Sequence, residues 1–172
     1  MSGGSILRRT GGGEIRPPGG GQPCYLPWPP MVEAKLRVIY GDTDQMGVVY
    51  YANYFRYFEA SRAEYLRTQG WSYRDMETSG ALLPVVDAQC SYKASARYDD
   101  LVTIRARVTE IRRASVSFGY ELLREDGLLL ATGKTVHACV GRDGRPTRIP
   151  KDFVDFLRRV EPTATAPNLE GA

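Results

Sequence analysis

Between Tyr40 and Tyr54 the chain places two acids, Asp42 and Asp44, then Gly47, then the aromatic run Tyr50-Tyr51-Ala52-Asn53-Tyr54. An apolar stretch leads in and a helical pattern leads out, so Asp44 should sit in a loop facing the first turn of a helix. The first backbone N–H groups of a helix lack intrahelical acceptors and carry a partial positive charge. A carboxylate opposite such donors can supply or activate a nucleophile while the donors hold an oxyanion. That pairing suits the hydrolysis of an acyl group. Gly47 fits a turn with positive φ, or close backbone approach by a substrate. Tyr50 and Tyr54, with Phe58, would line an apolar pocket beside it.

Other residues could compete for these roles. Asp42 lies two positions before Asp44, and extended backbone would point both carboxylates the same way. Asp42 is assigned a structural role, bonding N–H groups of the loop as Asx residues do. Glu59 is the rival base, but Phe58-Glu59-Ala60-Ser61-Arg62 is read as holding a structural ion pair. His137 falls in a strand far from the loop and is read as structural. Arg97, Arg112 and Arg113 stand near strand ends, where forked guanidinium donors could meet phosphates. Solvated surface charge is the equal alternative for each, and Lys134 is a weaker candidate.

These residues need a scaffold. Leu36 to Tyr40 is an apolar, strand-like run. Ala52 to about Thr68 reads as a helix with Tyr51, Tyr54, Phe55, Phe58, Tyr65 and Leu66 along one face. Asn53, Arg56, Arg62 and Arg67 fall largely elsewhere, and Gly70 is its left-handed cap. Leu82 to Tyr92 is extended. Leu101 to Ile111 alternates through Val102, Ile104, Ala106 and Val108, and Ser115 to Leu122 through Val116, Phe118, Tyr120 and Leu122. Asp126-Gly127 suits a hairpin turn with two positive φ angles. Leu128 to Val140 returns as a strand whose Gly133 marks a bulge, and Pro150 to Arg159 closes as a short helix. The sum is an α+β domain: one long aromatic helix and an antiparallel meander curved enough to bury it.

Composition separates the domain from its ends. The chain has 172 residues and a net charge of +3, which suits one domain. Residues 1–30, rich in Gly and Pro, read as a disordered tail, residues 31–161 as the domain, and residues 162–172 as a flexible C-terminal tail. No dense basic stripe points to nucleic acid. Three cysteines at wide spacing and a single histidine argue against a zinc site and for reduced thiols in the cytoplasm. No apolar run reaches the ~20 residues needed to span a bilayer. Nothing in the sequence requires a metal or a cofactor.

An ordered set of motifs runs through the domain. It comprises Tyr40-Gly41-Asp42-Thr43-Asp44, Gly47, Tyr51-Ala52-Asn53-Tyr54, Tyr92-Lys93-Ala94-Ser95-Ala96-Arg97-Tyr98-Asp99-Asp100, Arg113-Ala114-Ser115-Val116-Ser117-Phe118 and Gly144-Arg145-Pro146. This set resembles the hotdog-fold acyl-CoA thioesterases of the 4-hydroxybenzoyl-CoA thioesterase type. The resemblance covers nearly the whole domain and none of the N-terminal tail. It implies a hotdog fold, an antiparallel sheet wrapped around a long central helix. It also implies a homodimer joined edge to edge, often paired again into a homotetramer, with the site at the subunit interface.

By the same resemblance Asp44 is the catalytic carboxylate, and the backbone N–H of Tyr51 polarises the thioester carbonyl. Many bacterial relatives carry histidine at that position, a change that spares a backbone role and alters the acyl pocket. The leaving thiol, with a pKa of about 8.5, needs little general-acid help. Three choices stay open: attack by Asp44 or by a water it activates, coenzyme A or an acyl carrier protein as the thiol carrier, and the acyl group itself. A dehydratase or hydratase is disfavoured because no histidine lies near Asp44. The alternative of another class is a non-catalytic acyl-CoA-binding module, a sensor or scaffold.

Overall fold

Apolar residues at every second position of the central strands make one face of a sheet a hydrophobic wall, and the long helix lies on it. The structure is a computed structural model and describes residues 32–78, 80–161 and 164. The tail expected over residues 1–30, and nearly all of that expected over 162–172, lie outside the described residues. The elements run β1 (Glu33–Arg37), α1 (Asn53–Thr68), α2 (Tyr73–Thr78), β2 (Val85–Tyr92), β3 (Leu101–Ile111), β4 (Ser115–Arg124), β5 (Leu129–Ala138) and α3 (Lys151–Val160). The five strands form one antiparallel sheet in the order β1-β3-β4-β5-β2, which leaves β1 and β2 at its edges.

The alternation read in β3 and β4 is the alternation observed: Val102, Ile104, Ala106 and Val108, then Val116, Phe118, Tyr120 and Leu122, are all buried. Across from them α1 buries Tyr54, Tyr57, Phe58, Tyr65 and Leu66. Phe58 stacks on Tyr120 with ring centroids 4.5 Å apart and planes 14° from parallel. Fully burying one such side chain contributes about 1.5–3 kcal/mol. Gly70, at φ 85°, ends α1 as expected, and the Trp71 N–H closes onto the Leu66 carbonyl at 2.9 Å. This is the sheet-around-helix arrangement of a hotdog fold.

Several local expectations are corrected. The first strand is Glu33–Arg37 rather than Leu36 to Tyr40, because Tyr40–Asp42 winds into a 3-10 turn. Gly133 is not a bulge: it pairs in register with both Cys90 and Tyr120. A Cβ there would stand 2.3 Å from two ring atoms of Phe58, so glycine is needed to let the helix approach the sheet. In the hairpin only Gly127 takes positive φ. The Asp126 carboxylate instead accepts the Leu128 N–H and grips Arg124. Arg62 turns inward rather than away from the core, to donate to the hydroxyls of Tyr73 at 2.5 Å and Tyr120 at 3.2 Å. It therefore makes no pair with Glu59. Among the described residues no helix is long and apolar enough to cross a membrane.

Candidate active site

The loop after β1 is shaped by its own backbone. The 3-10 turn over Tyr40–Asp42 breaks the strand alternation, so the two acids part company instead of pointing the same way. Asp42 is 3 % exposed and accepts the Tyr57 hydroxyl at 2.8 Å and Arg56 at 3.4 Å. Its main-chain oxygen takes the Tyr50 N–H and the Asn53 side-chain amide, both at 2.9 Å. The structural role expected for Asp42 holds, with α1 side chains in place of loop N–H groups. Burial, then the contact with Asp42, pushes the Tyr57 phenol well above its ordinary value, so it remains a donor.

Asp44 turns the other way. One carboxylate oxygen accepts the Met46 N–H at 2.8 Å, while its main-chain groups bond Gly47 and Val48 at 2.9 Å. The second oxygen makes no hydrogen bond among the described residues. Gly47, at φ 70°, lets this loop close on itself. Asp44 lines a cavity of about 290 Å³ with Met46, Val48, Tyr51, Tyr54, Tyr92, Lys93 and Ser95.

Tyr51 meets that cavity at the start of α1. The N–H groups of Asn53, Tyr54 and Phe55 are already bonded, to the carbonyls of Tyr50, Tyr51 and Ala52. The N–H groups of Tyr51 and Ala52 have no acceptor among the described residues, and these are the free donors of the helix end. The Tyr50 and Tyr51 rings lie 4.5 Å apart. The Tyr50 phenol is held above its ordinary value first by Tyr51 and last by Asp44. Tyr54 closes the inner side, and its phenol is raised chiefly by burial.

Of the expected arginines Arg97 comes near, beside Gly47 of the Asp44 loop, without lining the cavity itself. A terminal nitrogen of its guanidinium stands 4.0 Å from the place a Cβ would take on Gly47. Arg112 and Arg113 follow β3, whose eleven residues span roughly 33 Å at ~3.3 Å each. They stand at the far end of the sheet from Leu101, the end at which the Asp44 loop sits. Glu59 lines a separate cavity of about 390 Å³ between α1 and the segment Leu36 to Asp42. His137 is 0 % exposed and bonds Thr135 and the Leu83 carbonyl, both at 3.0 Å. Both the rival base and the histidine are thus removed from the Asp44 cavity. Among the described residues no group of His, Cys, Asp and Glu could hold a metal.

Sequence reasoning gave no site role to Tyr92, Lys93 or Ser95. Their signal was present in the motif from Tyr92 to Asp100, but only the antiparallel return of β2 beside α1 brings it to Asp44.

The sequence model of the thioesterase-like superfamily matches residues 38–157. The chain belongs to that superfamily. Relatives at 32–35 % identity are named acyl-CoA thioesterases, and the chain is a thioester hydrolase, as its motifs led us to expect. It is 35 % identical over 119 residues to an acyl-CoA thioesterase, YbgC, of Haemophilus influenzae, covering 68 % of this chain and 87 % of that protein. It is 27 % identical over 135 residues to the 4-hydroxybenzoyl-CoA thioesterase of a Pseudomonas strain, covering 73 % of this chain and 96 % of the other. Among solved structures, a DHNA-CoA thioesterase from Staphylococcus aureus superposes with a TM-score of 0.73 at 32 % identity, covering 77 % of this chain and 91 % of that one. The chain thus has the hotdog fold and resembles thioesterases of the 4-hydroxybenzoyl-CoA type in sequence.

Proposed function

We propose that this thioesterase hydrolyses an acyl- or aroyl-CoA to the free acid and coenzyme A, with Asp44 as nucleophile or general base. The observation that carries the proposal is the shared cavity. It holds a carboxylate with one oxygen fixed by Met46 and one free, beside a helix start whose Tyr51 and Ala52 N–H groups have no acceptor among the described residues. A thioester carbonyl seated there would develop negative charge against those donors as Asp44, or a water it activates, attacks. Losing one such donor in comparable sites costs on the order of 3 kcal/mol. The thiolate then leaves without an acid, since its own pKa is about 8.5.

A second copy completes the site in this reading. β2 is an edge strand of eight residues with Val85 and Val86 49 % and 61 % exposed, a surface open to edge pairing. Antiparallel pairing of two β2 edges brings the partner's β3–β4 end level with the Asp44 cavity. Those arginines then lie roughly 15–19 Å across the sheet, three to four strand spacings. Arg112 and Arg113 would serve the neighbour's phosphates, and Arg97 those of its own site. Gly47 gives the substrate close backbone approach and Tyr54 lines its acyl end, while Tyr50, expected there too, stands outside the cavity lining and backs it through the Tyr51 ring. Free thiols at Cys90 and Cys139 accord with a cytoplasmic setting, and an acyl carrier protein remains the other possible thiol carrier.

The test is release of free thiol from an acyl-CoA panel, with Asp44→Asn alongside. Turnover of at least one substrate and a loss of about a hundredfold or more in the variant are expected. Binding without turnover across the panel would favour the sensor or scaffold alternative. A fully active Asp44→Asn would remove the carboxylate from the mechanism.

A further inference from the structure

Tyr92 ends β2 and reaches back to the start of α1. Its hydroxyl donates to the Tyr51 main-chain oxygen at 3.1 Å, and its ring meets that of Tyr54 edge-on at 5.1 Å. The same oxygen otherwise takes only a long bond, 3.4 Å, from the Tyr54 N–H. The first turn of α1 has no side-chain cap, so the helix itself does little to hold this peptide. Yet here the free donors lie. A trans peptide is planar, with its carbonyl and N–H on opposite sides. Pinning the Tyr51 oxygen therefore fixes the direction of the Ala52 N–H and restrains the Tyr51 N–H one unit before it.

We propose that Tyr92 is a positioning residue for hydrolysis: its hydroxyl locks the Tyr51–Ala52 peptide so that the helix-end N–H groups face the cavity. The proposal rests on the reading of those donors as the oxyanion site. Two parts of one side chain do different work. The ring forms a wall of the cavity, while the hydroxyl is spent on the backbone. Burial, then Cys90, pushes the phenol up to about 12, so the hydroxyl keeps its proton and donates across the neutral pH range. A preorganised donor needs no rearrangement as charge develops, and a loosely held peptide forfeits that advantage.

Tyr92→Phe keeps the ring and removes the bond. With the full chain and with benzoyl-CoA and hexanoyl-CoA as probes, kcat should fall about five- to tenfold, the scale of one neutral hydrogen bond. KM should stay at its parental value, and the thermal midpoint should fall by no more than a few degrees, the scale of one hydrogen bond. Tyr92→Leu, which also removes the ring, should raise KM as well. Unchanged kcat in Tyr92→Phe overturns the proposal, as does a loss carried by KM or by unfolding at the assay temperature. Hydrogen exchange over residues 48–56 reads the same bond without substrate. It should be faster in Tyr92→Phe, and parental protection there overturns the proposal even if no acyl-CoA is turned over. Asp44→Asn separates the two readings, since its full activity would count against the carboxylate and leave the Tyr92 bond to be judged on its own measurements.

Discussion

Asp42 and Asp44 are chemically identical side chains, and a single 3-10 turn gives them different surroundings. Asp42 is anchored under α1 by Tyr57, and Asp44 keeps an oxygen free over the cavity. The anchor has a measurable value, because a hydrogen bond to a charged group contributes about 1.5–3 kcal/mol. Tyr57→Phe should lower the unfolding free energy by about 2 kcal/mol in urea titrations while costing far less activity than Asp44→Asn. A hundredfold loss of kcat in Tyr57→Phe would mean that Asp42 takes part in the chemistry. The supporting nature of Asp42 was legible in the sequence, but its partner was not. Tyr57 lies fifteen residues on, and the contact exists only once the helix has docked.

Between elements, closeness is set by the smallest residue at the crossing. Gly133 on β5 sits beneath the Phe58 ring of α1, where an added Cβ would overlap two ring atoms at 2.3 Å. Gly133→Ala should therefore cost about 2–3 kcal/mol as an overpacked core. Phe58→Leu added to it should recover part of the loss in the same denaturation experiment. Deeper in this interface a hydrogen-bonded chain runs from Arg62 through Tyr120 and Thr135 to His137 and the Leu83 carbonyl. Since the carbonyl can only accept, the His137 Nδ1 carries a proton. Burial, then Arg62, holds its pKa down at about 4, from an ordinary 6.5. Below pH 6.5 the unfolded chain takes up a proton that the folded one refuses, so stability falls with pH until about pH 4. The loss attributable to this group is on the order of 3 kcal/mol. A pH series of thermal midpoints on His137→Gln should show a shallower slope between pH 6.5 and 4, and an unchanged slope would point to other groups. Alternation made β3 and β4 readable from sequence. A glycine read as a bulge and an arginine read as outward-facing were not, because both depend on what the other layer presents. The short α2 was missed although Ser72 and Asp75 cap each other, a pattern readable in retrospect.

For the whole molecule, the exposed β2 edge and the distance of Arg112 and Arg113 from Asp44 pose one question: whether the site is finished within a chain or between two. Their place near strand ends made these arginines candidates for the phosphates of a substrate held at Asp44, and a single chain separates them from it by nearly the length of β3. Edge pairing with two-fold symmetry reconciles the two facts, since each end of one sheet then lies beside the opposite end of its partner. The consequence can be tested by mixing. An Arg112→Ala/Arg113→Ala chain should raise KM for acyl-CoA and keep Asp44, while an Asp44→Asn chain keeps the arginines and loses kcat. If the arginines act across the interface, a mixed dimer holds one intact site and one doubly defective site. Random reassortment of equal amounts makes half of the dimers mixed, so activity at low substrate should recover to about a quarter of the parental value. Arginines acting within their own chain leave every mixed site defective in one component. Activity no higher than the mean of the two separate variants would then place the phosphate contacts, if any, in cis and remove the main reason for a shared site.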